Sequence, residues 1–237
     1  MVLEDGAQAR VLEVGAGTGA LTQALASRGA QTTALEIDSR LVAVLRDRTD
    51  LTGVRIVEAD ALRYPFEEFA ALGPWRLAGN LPYNVGTSLV ADVVRLEHPP
   101  ERMVVMLQKD VIDRLVAKPS TPAYGSLTLA VAARMRVRRA FTIGRSHFYP
   151  RPNVESSVAV LVPEKSVEIG NLTRFDEVVR AAFAYRRKTL VNSLLRALNV
   201  PRDQTLTALE ALRLDPEIRA EQLDLSTFAE LAAKLGA

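Results

Sequence analysis

Short apolar runs alternate with stretches of three- and four-residue periodicity through the first two thirds of the chain. Arg10–Val14 (RVLEV) and Gln31–Ile37 (QTTALEI) read as strands, Val54–Val57 as a third, Arg76–Ala78 as the start of a fourth and Met103–Leu107 as a buried fifth. Between them the spacing predicts helices over Ala20–Ser27, Ser39–Arg48, Thr87–Leu96 and Val111–Ala117. The second would carry Leu41, Val44 and Leu45 on one face, with Ser39 as its N-cap. Thr128–Arg136 and Ser157–Val162 are late strand candidates, the first also readable as helix. This alternation argues for an α/β fold, a parallel sheet with helices on both faces.

After Pro163 the pattern changes to helical spacing, from about Arg174 to Leu198 and from Asp203 to Leu235, punctuated by Pro201 and Pro216. Two domains are expected: an α/β domain over 1–166 and a small all-helical domain over 167–237, joined near Glu164–Asn171.

Composition narrows the chemistry. The chain has 237 residues and no cysteine, which excludes disulfides, thiolate metal sites and cysteine nucleophiles. His98 and His147 are the two imidazoles, so no metal site is expected. No apolar run approaches a membrane span and the first residues do not read as a secretory signal, so a cytoplasmic protein without membrane attachment is expected. The net charge of +2 conceals an asymmetry: no acid falls between Asp113 and Glu155, whereas Arg114, Lys118, Arg134, Arg136, Arg138, Arg139, Arg145 and Arg151 do. A one-signed stretch favours a polyanion, although a merely solvated basic face reads the same way.

The segment Glu13-Val14-Gly15-Ala16-Gly17-Thr18-Gly19-Ala20 lies between a predicted strand and helix. Glycines there permit positive φ and close ligand approach, and the helix start offers free N–H groups. The loop fits a dinucleotide and S-adenosylmethionine equally well. Glu36 ends the second strand, 21 residues after Gly15, where a carboxylate accepts from ribose hydroxyls, again for either cofactor. Asp60, in Glu58-Ala59-Asp60-Ala61-Leu62, follows the third strand. There it would accept from an adenine amino group, or simply cap a helix.

Asn80-Leu81-Pro82-Tyr83-Asn84 follows the fourth strand, at the sheet edge where open α/β folds bind ligands. An exocyclic amine is a poor nucleophile because its lone pair is delocalised into the ring. The Asn80 side-chain oxygen and the carbonyl of Leu81 or Pro82 would accept its N–H bonds and favour a pyramidal nitrogen. Tyr83 would stack on an extruded base.

With these motifs the chain resembles the ribosomal RNA adenine N6,N6-dimethyltransferase family over almost its whole length. Further matching strings are Leu107-Gln108-Lys109-Asp110, Ala123–Leu127 (AYGSL), Phe148–Val158 (FYPRPNVESSV) and Ala182–Leu190 (AFAYRRKTL). The resemblance implies a Rossmann-like S-adenosylmethionine-dependent methyltransferase sheet with a helical, rRNA-binding C-terminal domain. It implies methyl transfer to the N6 amines of two adjacent adenosines near the 3′ end of small-subunit rRNA, with the pre-30S ribosomal subunit as partner and a monomeric enzyme. Glu13, Gly15, Gly17, Glu36, Ile37, Asp60, Ala61 and Asn80 would hold the cofactor. Asn80, Leu81, Pro82, Tyr83 and Phe148 would form the target pocket, Phe148 stacking opposite Tyr83. Family members also carry a basic N-terminal segment with a Gly-Gln-Asn-Phe-Leu-type motif, absent here, so an N-terminally short form is expected. Competing readings are a large-subunit rRNA or DNA adenine methyltransferase, and a non-catalytic ribosome-assembly factor of the same fold.

Overall fold

The computed structural model describes residues 1–4, 8–82, 85–149, 151–198 and 200–236. In chain order the elements are β1 Arg10–Val14, α1 Ala20–Ala26, β2 Gln31–Glu36, α2 Ser39–Asp47, β3 Arg55–Glu58, α3 Phe66–Ala70, β4 Arg76–Asn80, α4 Gly86–Val93, β5 Arg102–Gln108 and α5 Lys109–Leu115. They continue with α6 Ser126–Ala132, β6 Met135–Ile143, β7 Ser156–Pro163, α7 Leu172–Ala182, α8 Leu190–Ala197, α9 Arg202–Ala211 and α10 Leu225–Leu235. Among the described residues, no helix is long and apolar enough to cross a membrane.

The chain forms two compact units. The first comprises Met1–Ile112 with Met135–Pro163 and holds one seven-stranded sheet in the order β3-β2-β1-β4-β5-β7-β6. Strands β3 through β5 pair in parallel, whereas β7 runs antiparallel to both β5 and β6. The sheet is therefore mixed: the expected parallel sheet is found over β1 to β5, and β7 adds antiparallel pairing at one side. The parallel part arises because each of its strands is followed by a crossover; β6 returns to β7 through residues 144–155, which reverses direction instead. Val11, Leu12, Glu13 and Val14 of β1 are all buried, as befits a central strand covered on both faces.

Two local readings change. Helix α2 is capped by Asp38, whose side chain accepts from Arg40 N, and not by Ser39. Its buried residues are Val42 and Leu45, while Val44 is exposed, because Val44 lies about 200° around the helix from Val42. The segment 128–136 splits: α6 ends at Ala132 and β6 begins at Met135. Leu127, Thr128, Leu129, Ala130 and Val131 are buried without an exposed stripe, which hid the helical period.

The second unit comprises Asp113–Arg134 with Glu164–Ala237. Its core joins Phe175, Val178, Leu190, Leu194, Leu209, Phe228 and Leu231 of the last four helices to Tyr124, Leu129 and Ala133. The Tyr124 hydroxyl donates to the Leu223 carbonyl at 2.8 Å. Arg134 grips Asp176 bidentately at 2.9 and 3.1 Å. The sequence boundary at 166 assigned 113–134 to the α/β domain. By packing, that segment belongs with the C-terminal helices, because its apolar side chains enter their core.

Candidate active site

The glycine loop leaves β1 by turning back onto β2: Gly15 N and Ala16 N both donate to the Leu35 carbonyl, at 2.9 and 3.1 Å. Gly15 has φ +75°, and a Cβ there would stand 3.4 Å from the Asn80 carbonyl oxygen. Positive φ and this close approach together call for glycine. Gly79 is more restricted by space: a Cβ would meet the Val14 carbonyl oxygen at 2.6 Å. The ends of β1 and β4 thus converge at the loop that carries Asn80.

Glu36 is buried and organises this edge. Its Oε2 accepts from Gly17 N at 2.8 Å, and its Oε1 accepts from Ile37 N and Asp38 N at 2.8 and 3.0 Å. Three of about four carboxylate acceptor sites are taken by backbone. Asp60 Oδ1 accepts from Leu62 N at 2.9 Å, which fixes the turn after β3. No helix begins directly after Asp60, so the helix-cap alternative has no counterpart: the side chain fixes a turn and lines the smaller cavity.

Two cavities meet at this edge, and Gly15 and Asn80 line both. The smaller, about 290 Å³, is walled by Leu35, Glu36, Ile37, Asp60, Ala61 and Pro82. The larger, about 490 Å³, is walled by Glu13, Gly17, Asn80, Met106, Phe141 and Val158, among others. Ile37 is two-thirds exposed at the rim of the smaller one, offering an apolar face to a flat ring.

The structure brings Glu13, Gly15, Gly17, Glu36, Ile37, Asp60, Ala61, Asn80 and Pro82 to these two cavities. Leu81 is placed differently: its side chain is buried beneath the loop and its N–H donates to the Met106 carbonyl at 3.0 Å. The Pro82 carbonyl accepts from Val85 N and Gly86 N, at 3.1 and 2.9 Å, and so has no lone pair to spare. Phe148 is half-buried after the turn 145–147 and is not among the residues lining either cavity. Tyr83 lies outside the described residues.

Sequence reasoning missed the far wall of the larger cavity. Asn80, Met106, Val158 and Phe141 lie opposite one another on successive strands, one row across β4, β5, β7 and β6. Phe141 joins that row through a register shift between Arg139 and Phe141, which inserts an extra residue and turns Phe141 to the cavity face. No local sequence signal marks the bulge.

Glu13 is the electrostatic anomaly. It is 1% exposed, and both carboxylate oxygens lack a hydrogen-bond partner among the described residues. Thr22 on α1 stands close enough to ease the carboxylate in part, yet no hydrogen bond of ordinary geometry joins them. Loss of hydration, opposed by Thr22 and reinforced by the negative Glu36, pushes the Glu13 pKa up to about 7.

The fit to S-adenosylmethionine follows from these groups. The unpartnered Glu13 carboxylate matches the cationic methionine end, the glycine loop admits close approach, and Glu36 with Asp60 presents acceptors along the smaller cavity. Among the described residues no group of three or more acidic or imidazole side chains could hold a metal ion.

A glycine loop after β1, an acid at the end of β2 and an Asn-led loop after β4 on this sheet define an S-adenosylmethionine-dependent methyltransferase. The family model described as ribosomal RNA adenine dimethylase matches residues 3–235, and the chain belongs to that family. It is 41% identical over 237 residues to the ribosomal RNA small subunit methyltransferase A of Geobacillus thermodenitrificans, with 94% of this chain and 80% of that protein covered. The protein of the same name from Listeria monocytogenes is 39% identical over 241 residues, covering 97% and 82%. Among solved structures, a dimethyladenosine transferase from Plasmodium falciparum superposes with a TM-score of 0.82 at 26% identity, covering 97% of this chain and 90% of that one. The 23S rRNA methyltransferase ErmE gives 0.70 at 25% identity, covering 99% and 94%. The chain is an S-adenosylmethionine-dependent rRNA adenine dimethyltransferase.

Proposed function

We propose that the chain acts on two adjacent adenosines near the 3′ end of small-subunit rRNA, as a cytoplasmic monomer working on the pre-30S subunit. The observation that carries this reading is the 41% identity, across nearly the whole chain, to a small-subunit rRNA methyltransferase, combined with the placement of Asn80 where both cavities meet.

In this reading Glu36 and Asp60 hold the ribose and adenine of the cofactor in the smaller cavity, with Ile37 and Ala61 packed against the ring. Glu13, Gly15 and Gly17 receive the methionine end in the larger one. When bound, S-adenosylmethionine supplies an electrophilic methyl group on a sulfonium. The protein's task is then to position and polarise the amine. The Asn80 side-chain oxygen accepts one N–H of the target amine. The Leu81 carbonyl accepts the other, since the Pro82 carbonyl is held by Val85 and Gly86. Two acceptors on one nitrogen draw its lone pair out of conjugation and aim it at the cofactor. Tyr83 and Phe148 would sandwich the base; Phe148, which lines neither cavity, would have to turn in to reach it.

The test is methyl labelling with unmethylated small subunits, large subunits and duplex DNA side by side, followed by mapping of the modified positions. Label confined to two neighbouring adenosines of small-subunit rRNA is the expected result. Label on large subunits or DNA would replace this reading with one of its competitors. Cofactor binding without labelling of any of the three would favour the assembly-factor reading.

A further inference from the structure

We propose that Glu13, which faces the cofactor's cationic end in that reading, is held partly protonated in the free protein and becomes fully ionised on binding, so that S-adenosylmethionine entry releases a proton. The proposal rests on the larger cavity being the cofactor site.

The geometry supplies the argument. A carboxylate that is 1% exposed, with neither oxygen hydrogen-bonded among the described residues, is costly to keep ionised in the free protein. It nevertheless lines a cavity large enough for a small molecule. Among the described residues, the groups around it do not supply a cation. Strand β2 contributes Glu36, a second negative charge. Helix α1 contributes Thr22, polar and uncharged. Strand β4 pairs with β1 through Ala78 opposite Glu13, and carries Gly79 and the neutral amide of Asn80 to the same cavity. Strand β5 offers Val104 and Met106. The Met1 ammonium belongs to a residue on the cavity wall, but lies 3.5 Å from Glu4. Burial thus favours the protonated acid, and its pKa of about 7 places the balance within reach of an incoming cation.

The methionine end of S-adenosylmethionine carries an ammonium, a sulfonium and one carboxylate, for a net charge of about +1. Placed beside Glu13, those cations favour its ionised form, and the displaced proton passes to solvent. The balance is one O–H bond broken, one proton to buffer and one ion pair formed. The demethylated product lacks the sulfonium charge. It therefore holds Glu13 ionised less strongly and releases fewer protons. Glu13 becomes a charge-selecting residue, one that distinguishes substrate cofactor from spent cofactor.

The experiment is calorimetric titration of the whole protein with S-adenosylmethionine, without RNA, in phosphate, imidazole and Tris at one pH. The binding heat should vary linearly with buffer ionisation enthalpy, corresponding to about half a proton released at pH 7 and more at pH 6, where the ligand's own α-amino group stays protonated throughout. Glu13→Gln should remove the buffer dependence, and S-adenosylhomocysteine should release less than S-adenosylmethionine. A heat independent of buffer in the wild-type protein, or a dependence unchanged in Glu13→Gln, overturns the proposal. If Glu13→Gln fails to fold, carboxyl 13C resonances of the wild type decide. One glutamate titrating near neutrality and shifting to lower pKa with S-adenosylmethionine supports the proposal, and no such resonance overturns it. Absence of any S-adenosylmethionine binding removes the cofactor reading of the cavity, whereas binding without proton release removes only this inference.

Discussion

The Glu36 carboxylate accepts the backbone N–H of Gly17 at 2.8 Å, which ties the end of β2 to the middle of the glycine loop. The same side chain also holds Ile37 N and Asp38 N, so one residue sets the geometry of both cavities. Glu36→Ala leaves three backbone donors without their acceptor and should cost about 2 kcal/mol of stability. Affinity for S-adenosylmethionine should fall at least tenfold. Thermal unfolding and calorimetry on one preparation measure both effects. Glu36→Gln, which keeps one acceptor oxygen, should lose less of each.

Asn80 is joined to its neighbours in the sheet through its backbone, paired with Met106 on β5. Its side chain is exposed at the mouth of the cavities, so Asn80→Ala should leave the unfolding transition within about 1 kcal/mol of wild type. Methyl transfer should drop by about 10²–10³-fold or more, with cofactor binding weakened far less. Single-turnover labelling at saturating cofactor separates the two.

The Arg134–Asp176 pair sits inside the helical unit, with side chains 11% and 9% exposed. Removing one partner strands a buried charge, and Asp176→Ala should cost about 3–5 kcal/mol by denaturant unfolding. A double replacement by apolar residues of similar volume, Arg134→Met with Asp176→Leu, should recover most of that loss.

A carboxyl whose pKa rises from 4.5 to about 7 on folding binds more protons in the folded than in the unfolded chain between those values. Its contribution to stability is greatest below pH 4.5 and is lost as pH rises toward 7, by on the order of 3 kcal/mol in total. Without cofactor, wild type should therefore lose stability relative to Glu13→Gln on going from pH 5 to pH 8. Parallel urea curves at the two values measure the wild-type minus Glu13→Gln difference, which should fall with pH; a difference that rises contradicts the burial argument.

The acid-free stretch from Arg114 to Val154 predicts strong salt dependence of rRNA binding. Affinity for small-subunit rRNA should fall by at least tenfold between 50 and 200 mM salt, as several phosphate contacts are replaced by counterions. Filter binding at graded salt gives the slope.

The parallel half of the sheet was plain in the sequence, because RVLEV, QTTALEI and MVVML are short, apolar and separated by helical spacing. Strand β6 was not. It lies at the sheet edge, and the alternation that Met135-Arg136-Val137-Arg138 begins breaks at Arg139, where the bulge shifts the register. Helix α6 was ambiguous because it is buried all round. At the site, Glu36, Asp60 and Asn80 were legible because motif spacing placed them at strand ends. Met106, Val158 and Phe141 were not, since only pairing register puts them in one row with Asn80. The Pro82 carbonyl's engagement by the start of α4 was likewise beyond the reach of a motif.

The helical unit is built from two separated stretches, 113–134 and 164–237, with the β6–β7 hairpin between them. This sets an order of events on the translating ribosome. Once Pro163 has emerged, every strand of the sheet exists and the first unit can close. At that moment Tyr124, Leu129 and Ala133 still lack their packing partners, because Phe175, Leu190 and Phe228 have yet to be made. The early stretch must wait, apolar residues uncovered, through the synthesis of residues 164–237, a delay of several seconds at ordinary elongation rates. Aggregation or chaperone capture of nascent chains should therefore concentrate on this interval, with the methyltransferase sheet already formed.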